Sequence, residues 1–195
     1  MDILISGVGG QGTVLASKVL ADSGVIEGGK ARTGETIGMS QRGGCVISHV
    51  RTDGSYSPFI PVGGADLLLS FELIEGARNI SYLKEEAYAV INTAVITPVS
   101  AILGKDKYER EEIMEYISEN SNVFLLDANK LAKEAGSIRA VNTILIGFAY
   151  GLGILDLSGD SIQRSMSKNI KSEYLALNLK AFNLGLKSAE GVHIN

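Results

Sequence analysis

The sequence predicts an α/β fold of three layers: a mostly parallel sheet flanked by helices, with a Rossmann-like start and a helical C-terminal third. Three observations carry that prediction. Short apolar runs recur along the chain, each closed by turn or helix-start residues, as strands buried on both faces require. The first run feeds a glycine-rich turn and then a helical pattern, the opening of a βαβ unit. Beyond residue 136 the strand-like runs give way to helical periodicity alone.

The first strand is Ile3-Leu4-Ile5, and it runs into Gly7-Val8-Gly9-Gly10-Gln11-Gly12. Ala16, Val19 and Leu20 then share one face of a helix. The segment Gly28-Gly29-Lys30-Ala31-Arg32-Thr33-Gly34 is polar and glycine-flanked, a poor match for a buried central strand. Gly44 to Val50 reads as a strand with weaker alternation, ending at the turn Asp53-Gly54. Leu67 to Phe71, Ala87 to Ile91 and Asn122 to Leu126 are the remaining strands, and Ile113, Tyr116 and Ile117 mark a helical face between the last two. In the last third, Ile144, Leu145, Phe148, Ala149 and Leu152 make a helix apolar nearly all round, hence buried. Leu175, Leu179, Phe182 and Leu186 recur at helical spacing to form an amphipathic C-terminal helix. Three helices are expected to pack against the sheet here, with Gly147 and Gly151 permitting close helix contact. The whole of 1–195 is expected to be a single domain, an α/β core over 1–136 with a helical part, 137–195, packed on it.

Composition narrows the function. A net charge of −4 and scattered Lys and Arg argue against a nucleic-acid partner. Cys45 is the one cysteine, which rules out an intrachain disulfide, a chain-borne iron–sulfur cluster and a Cys-rich zinc site. His49 and His193 lie far apart in sequence, so no metal site is expected. Val141 to Leu155, the longest apolar stretch, contains Asn142 and three glycines. It falls short of the ~20 residues a membrane span needs. With no leader pattern at its start, the chain is expected in the cytoplasm, away from membranes.

Two glycine-rich segments point to chemistry. A strand–turn–helix start presents backbone N–H groups at the positive end of the helix dipole, which suits a phosphate or a carboxylate. Gly7, Gly9, Gly10, Gln11 and Gly12 are therefore candidate cofactor-binding residues. As a bare G-x-G-x-x-G this is a weak signal for a dinucleotide. Glu35 stands at the distance of a ribose-binding acid, but in polar, glycine-flanked surroundings, so a stand-alone NAD(P)-binding oxidoreductase is a lesser reading. In Thr36 to Gly44, the residues Ser40, Gln41, Arg42 and Gly43 put a guanidinium fork among donors and glycines, fit for a phosphate, a carboxylate or another protein surface. No catalytic residue is assigned. Glu72 and Glu75 read as helix-start carboxylates before an acid/base pair, and Cys45 and His49 as packing on one strand face before a nucleophile pair. Asn92 and Thr93 end a strand, where they either line a crevice or close the turn.

These residues carry a resemblance. GVGGQG, then GMSQRGG, then Val46-Ile47-Ser48-His49-Val50-Arg51 resemble the gamma-type domain of the 2-oxoacid:ferredoxin oxidoreductases. Gly64-Ala65-Asp66-Leu67-Leu68 with Glu72, Glu75, Ala77 and Arg78, then Val90-Ile91-Asn92-Thr93 and Pro98, extend the similarity. It reaches from the first strand to the C-terminal helices. The GMSQRGG form and the stand-alone length are most similar to the beta-subunit branch that serves indolepyruvate. Gamma subunits for pyruvate, 2-oxoisovalerate or 2-oxoglutarate are less similar around the RGG. The resemblance implies oxidative decarboxylation of a 2-oxoacid with coenzyme A, giving an acyl-CoA, carbon dioxide and reduced ferredoxin. It implies thiamine diphosphate, Mg and [4Fe–4S] clusters in a larger alpha subunit, with ferredoxin reached through the complex. This chain is then a non-redox subunit, inactive alone, for which a homodimer is one state open when it is isolated. Its glycine segments either join a coenzyme A or substrate entry site shared with the alpha subunit, or act purely as structural interface.

Overall fold

In the computed structural model, which describes residues 1–38, 44–52, 56–96 and 109–192, the strands are β1 (Asp2–Val8), β2 (Ala31–Ile37), β3 (Cys45–Thr52), β4 (Ala65–Ser70), β5 (Leu83–Asn92) and β6 (Asn122–Leu126). The described helices are α1 (Thr13–Ile26), α2 (Leu73–Asn79), α3 (Arg110–Asn120), α4 (Ala128–Ala135), α5 (Val141–Gly151), α6 (Gly159–Asn169) and α7 (Ser172–Ser188). One sheet takes the order β2-β3-β1-β4-β5-β6. β1, β4, β5 and β6 are parallel neighbours, and β3 runs antiparallel to both β1 and β2.

The unbroken apolar runs of the central strands follow from burial on both faces. On β1 and β4, Ile3, Ile5, Leu67 and Leu69 join the larger core, while their neighbours Leu4 and Leu68 join a second core on the opposite face. With side chains alternating, a strand covered on both sides is apolar on both faces wherever no hydrogen-bonded polar pair intervenes. α1 and the C-terminal helices close the larger core; α2 and α3 close the other.

Four expectations are refined. The polar segment rejected as a central strand does form a strand, at the edge: along β2 only Gly34 is buried. An edge strand has one unpaired side and little core to serve, so an apolar run is not required there. On α3, Ile117 is fully buried and Ile113 half-buried, but Tyr116 is 48% exposed. The three C-terminal helices are present, yet they do not all lie on the sheet. α5 touches β5, whereas α6 packs on α1 and α7 across α5 and α4. Finally, Leu175, Leu179 and Leu186 are half-buried, and Phe182 is the deep anchor of α7.

The α5–α7 contact explains the helical glycines. A Cβ on Gly147 would sit 2.1 Å from the Phe182 carbonyl oxygen, and one on Gly185 2.0 Å from the Ile144 carbonyl oxygen. Backbone meets backbone there, as the sequence reading of Gly147 anticipated. Among the described residues no helix is long and apolar enough to cross a membrane.

Candidate functional site at the carboxyl edge of the sheet

Open α/β sheets bind ligands outside the carboxyl ends of their strands, and the glycine turn lies at that edge. Gly10 and Gly12 take φ of 95° and 85°, values that side chains other than glycine rarely adopt. Gly12 is the N-cap of α1, and no side chain caps that helix. Its carbonyl accepts from Asn142 Nδ2 at 3.3 Å, and a Cβ on Gly12 would stand 2.5 Å from the same nitrogen. The first turn of α1 thus presents its N–H groups at the edge, backed by the helix dipole.

Other members of the motif are spent internally. Gln11 folds back over the turn: its Oε1 accepts from Val8 N at 2.7 Å, and its Nε2 donates to the Phe71 carbonyl at 3.2 Å. A Cβ on Gly7 would lie 2.7 Å from Gln11 Oε1, so Gly7 makes room for that bracket. Gly9 N donates to the Gly44 carbonyl at 3.0 Å, tying the turn to the start of β3. Gln11 therefore bridges the crevice between β1 and β4, where a dinucleotide would enter. Glu35 does not compensate. It pairs with Ser48, which pairs with Ile5, so it sits level with mid-β1 and two strands away. Ser17 Oγ lies 3.4 Å from its Oε1. Ser40, Gln41, Arg42 and Gly43 lie outside the described residues; Gly38, on one side of them, donates to the Cys45 carbonyl at 2.8 Å.

Beside the turn is a buried polar cluster. Glu72 is the N-cap of α2, 1% exposed. Its Oε2 accepts from Glu75 N at 2.8 Å and its Oε1 from Ile96 N at 2.9 Å. Burial raises its pKa above the ordinary value, against the pull of those donors. One oxygen thus caps α2, and the other holds the backbone that follows β5. Glu75 Oε1 holds Arg78 at 2.6 Å, and its Oε2 is buried with no partner among the described residues. Burial, then the neighbouring Glu75 carboxylate, pushes the Cys45 thiol up to about 12. Such a thiol is a poor nucleophile. His49 shares the face of β3 with Cys45, as expected from their spacing. Its Nδ1 accepts from Ile60 N at 3.2 Å, and its ring meets Phe59 edge-on.

Asn92 closes its turn rather than lining a crevice. Its Oδ1 accepts from Ala128 N, and its Nδ2 donates to the Phe71 carbonyl and to Asn129 Oδ1. Thr93, next along, borders a cavity of about 590 Å³ with Arg110, Asp127, Lys130 and Lys133. The sequence reading did not single out this basic cavity. Its local signal is Lys130 and Lys133 one turn apart behind the capping Asp127. Among the described residues no three His, Cys, Asp or Glu side chains are grouped to hold a metal.

Comparison with known proteins agrees with this architecture. The profile of the pyruvate ferredoxin/flavodoxin oxidoreductase family matches residues 2–188. The chain is 38% identical over 193 residues to indolepyruvate oxidoreductase subunit IorB of Pyrococcus horikoshii, covering 97% of this chain and 96% of that one. It is 34% identical over 191 residues to the IorB of Archaeoglobus fulgidus, with 97% and 95% covered. Against the common gamma subunit of the pyruvate/ketoisovalerate oxidoreductases of Pyrococcus abyssi, identity is 25% over 191 residues, with 93% and 92% covered. Among solved structures, the gamma subunit of a keto/oxoacid ferredoxin oxidoreductase from Geobacter sulfurreducens superposes with a TM-score of 0.72 at 21% identity, covering 98% of this chain and 99% of that one. The 2-oxoglutarate:ferredoxin oxidoreductase of Magnetococcus marinus, solved with 2-oxoglutarate, coenzyme A and succinyl-CoA bound, gives 0.75 at 21% identity; 98% of this chain covers 31% of that one. At these identities the solved structures speak to the fold.

Proposed function

The chain belongs to the pyruvate ferredoxin/flavodoxin oxidoreductase family, and from that premise we propose that it is the beta subunit of an indolepyruvate oxidoreductase. The observation that carries the reading is end-to-end identity of 38% and 34% to two IorB subunits, against 25% to a gamma subunit of a sister enzyme. The activity it serves is oxidative decarboxylation of an aryl 2-oxoacid with coenzyme A, yielding an acyl-CoA, carbon dioxide and reduced ferredoxin. Thiamine diphosphate, with Mg, supplies the electron sink for such a decarboxylation. This chain's donor set does not fit an iron–sulfur cluster, since it has one thiol and that thiol is held protonated. Electron transfer to ferredoxin is therefore assigned to a larger alpha subunit, and this chain to a soluble, cytoplasmic complex with it.

Within that complex the uncapped turn Gly9–Gly12, together with Ser40, Gln41, Arg42 and Gly43, is assigned to a coenzyme A entry site shared with the alpha subunit. Free N–H groups at the start of α1 suit a phosphate, whereas Gly7 and Gln11 support the turn from beneath. Purely structural docking by the same segments is the competing version.

Two measurements test the proposal. Purification of the native chain is expected to bring with it a larger subunit containing iron and thiamine diphosphate. A chain that elutes alone and decarboxylates a 2-oxoacid overturns the assignment. In the reconstituted complex, Arg42→Ala is expected to raise the apparent KM for coenzyme A about tenfold, a loss near 1.4 kcal/mol, with kcat little changed. An unchanged KM with weakened assembly leaves the segment an interface element.

A further inference from the structure

A second cavity, of about 450 Å³, lies where the first turn of α1, the turn Ile138–Ala140 and the corner between α6 and α7 meet. Its volume falls in the range of small-molecule sites. Leu15, Ile170 and Leu177 make its wall apolar, and Tyr174, 51% exposed, offers an aromatic ring at the rim. Arg139 and Lys171 stand over it. Neither cation has an ion-pair partner among the described residues, and no carboxylate lines the cavity.

The side-chain amides here are largely engaged with the protein. Asn178 accepts from Thr143 Oγ1 at 2.8 Å and donates to the Tyr174 carbonyl at 2.9 Å. Asn169 donates to Asp22 and to the Ser165 carbonyl. The charge the cavity offers a ligand is thus positive. Leu15 stands in the uncapped first turn of α1, where the helix dipole adds to that positive potential. A neutral ligand would leave two cations unpaired, and a hydrophilic anion such as phosphate would leave the apolar wall unused.

We infer that this cavity binds a small amphipathic carboxylate, with an aromatic or branched aliphatic body against Leu15, Ile170, Leu177 and Tyr174 and its charge between Arg139 and Lys171. A ring laid on Tyr174 gains stacking contact, and Arg139 presents a fork matched to a carboxylate. The inference stands apart from the subunit assignment, because it uses no residue of the glycine segments and needs no partner chain.

Calorimetric titration of the full chain with indole-3-acetate tests it, beside the uncharged indole-3-acetamide. Saturable binding at one site is expected, at least tenfold weaker for the acetamide. The double substitution Arg139→Gln with Lys171→Gln, on exposed side chains, is expected to keep the circular dichroism spectrum and to weaken indole-3-acetate at least tenfold. Absence of saturable binding, equal affinity for both probes, or affinity untouched by the double substitution overturns the inference. So does a double variant that binds the probe normally yet no longer co-purifies with a larger subunit, which gives this face to a protein partner. Normal co-purification combined with lost probe binding supports the site whatever becomes of the coenzyme A assignment.

Discussion

His49 shows how one buried side chain sets a pH dependence. It is 4% exposed, and its Nδ1 accepts a hydrogen bond from Ile60 N, which a protonated ring cannot do. Burial and, less strongly, the charge of Arg51 hold its pKa below the ordinary 6.5, against a small opposing pull from Glu35. Below pH 6.5 the unfolded chain therefore binds a proton that the folded chain refuses. The stability this neutral ring contributes is complete above that pH and is lost as pH falls toward the folded value. Glu72 works in the opposite sense: its raised pKa means the folded carboxyl keeps its proton longer, so its contribution declines as pH rises above 4.5. His49→Asn retains an acceptor atom and removes the titration. At pH 7 it is expected to cost about 1–2 kcal/mol in lost ring packing, and the gap to the parent protein should narrow between pH 7 and pH 5 in urea titrations. A gap that stays constant across that range would sink this account. Residue roles of this kind were partly legible. The spacing of Cys45 and His49 placed them on one face, and Glu72 was recognisable as a helix-start carboxylate. The bracing role of Gln11 was not legible, because its partner, the Phe71 carbonyl, is 60 residues away and nothing local announces it.

Elements were legible where both faces of a strand or all sides of a helix are buried. β1, β4 and α5 carry the apolar runs Ile3–Ile5, Leu67–Leu69 and Ile144–Ile146 for that reason. β2 escaped recognition because an edge strand held by one neighbour needs no such run, and its sequence ARTGETI follows the demands of solvent. The α5–α7 crossing offers a test whose sign is diagnostic. In a loosely packed helix, Gly→Ala stabilises by roughly 0.5–1 kcal/mol through helix propensity. At Gly147 the added methyl meets the Phe182 carbonyl at 2.1 Å, and the obstacle is backbone that no rotamer change can move. Gly147→Ala is therefore expected to destabilise by about 2–3 kcal/mol, lowering Tm by roughly 4–12 °C for a chain of this size. Gly185→Ala should cost a similar amount. Once one methyl has forced the helices apart, the second meets less resistance, so the double variant should lose less than the sum. A rise in Tm for either single variant would refute the close approach.

On the scale of the whole molecule, the sequence showed where the chain changes character, at residue 136, without showing how tightly its two parts are joined. Gly136 ends α4 at φ 119°, its N–H bonded to the Ala132 and Lys133 carbonyls, and so turns the chain toward the helical part. A linker between independent bodies would have few contacts across it, but one hydrophobic cluster runs without interruption from Ile3 and Val50 through Val90 to Ile144, Phe148, Phe182 and Ala189. α5 covers sheet face that would otherwise meet water, and α6 is bound to α1 through Ser165 Oγ on the Val19 carbonyl at 2.8 Å. Each part thus completes the other's core. Unfolding in urea is accordingly expected to be one transition, with far-ultraviolet circular dichroism and the emission of the chain's seven tyrosines giving the same midpoint. A fragment of residues 1–136 is expected to lack a cooperative transition of its own, since β5, with Val90, would lose its cover of α5 side chains. Two separated midpoints, or a fragment that melts cooperatively, would show that the helical third is a body docked on a finished domain.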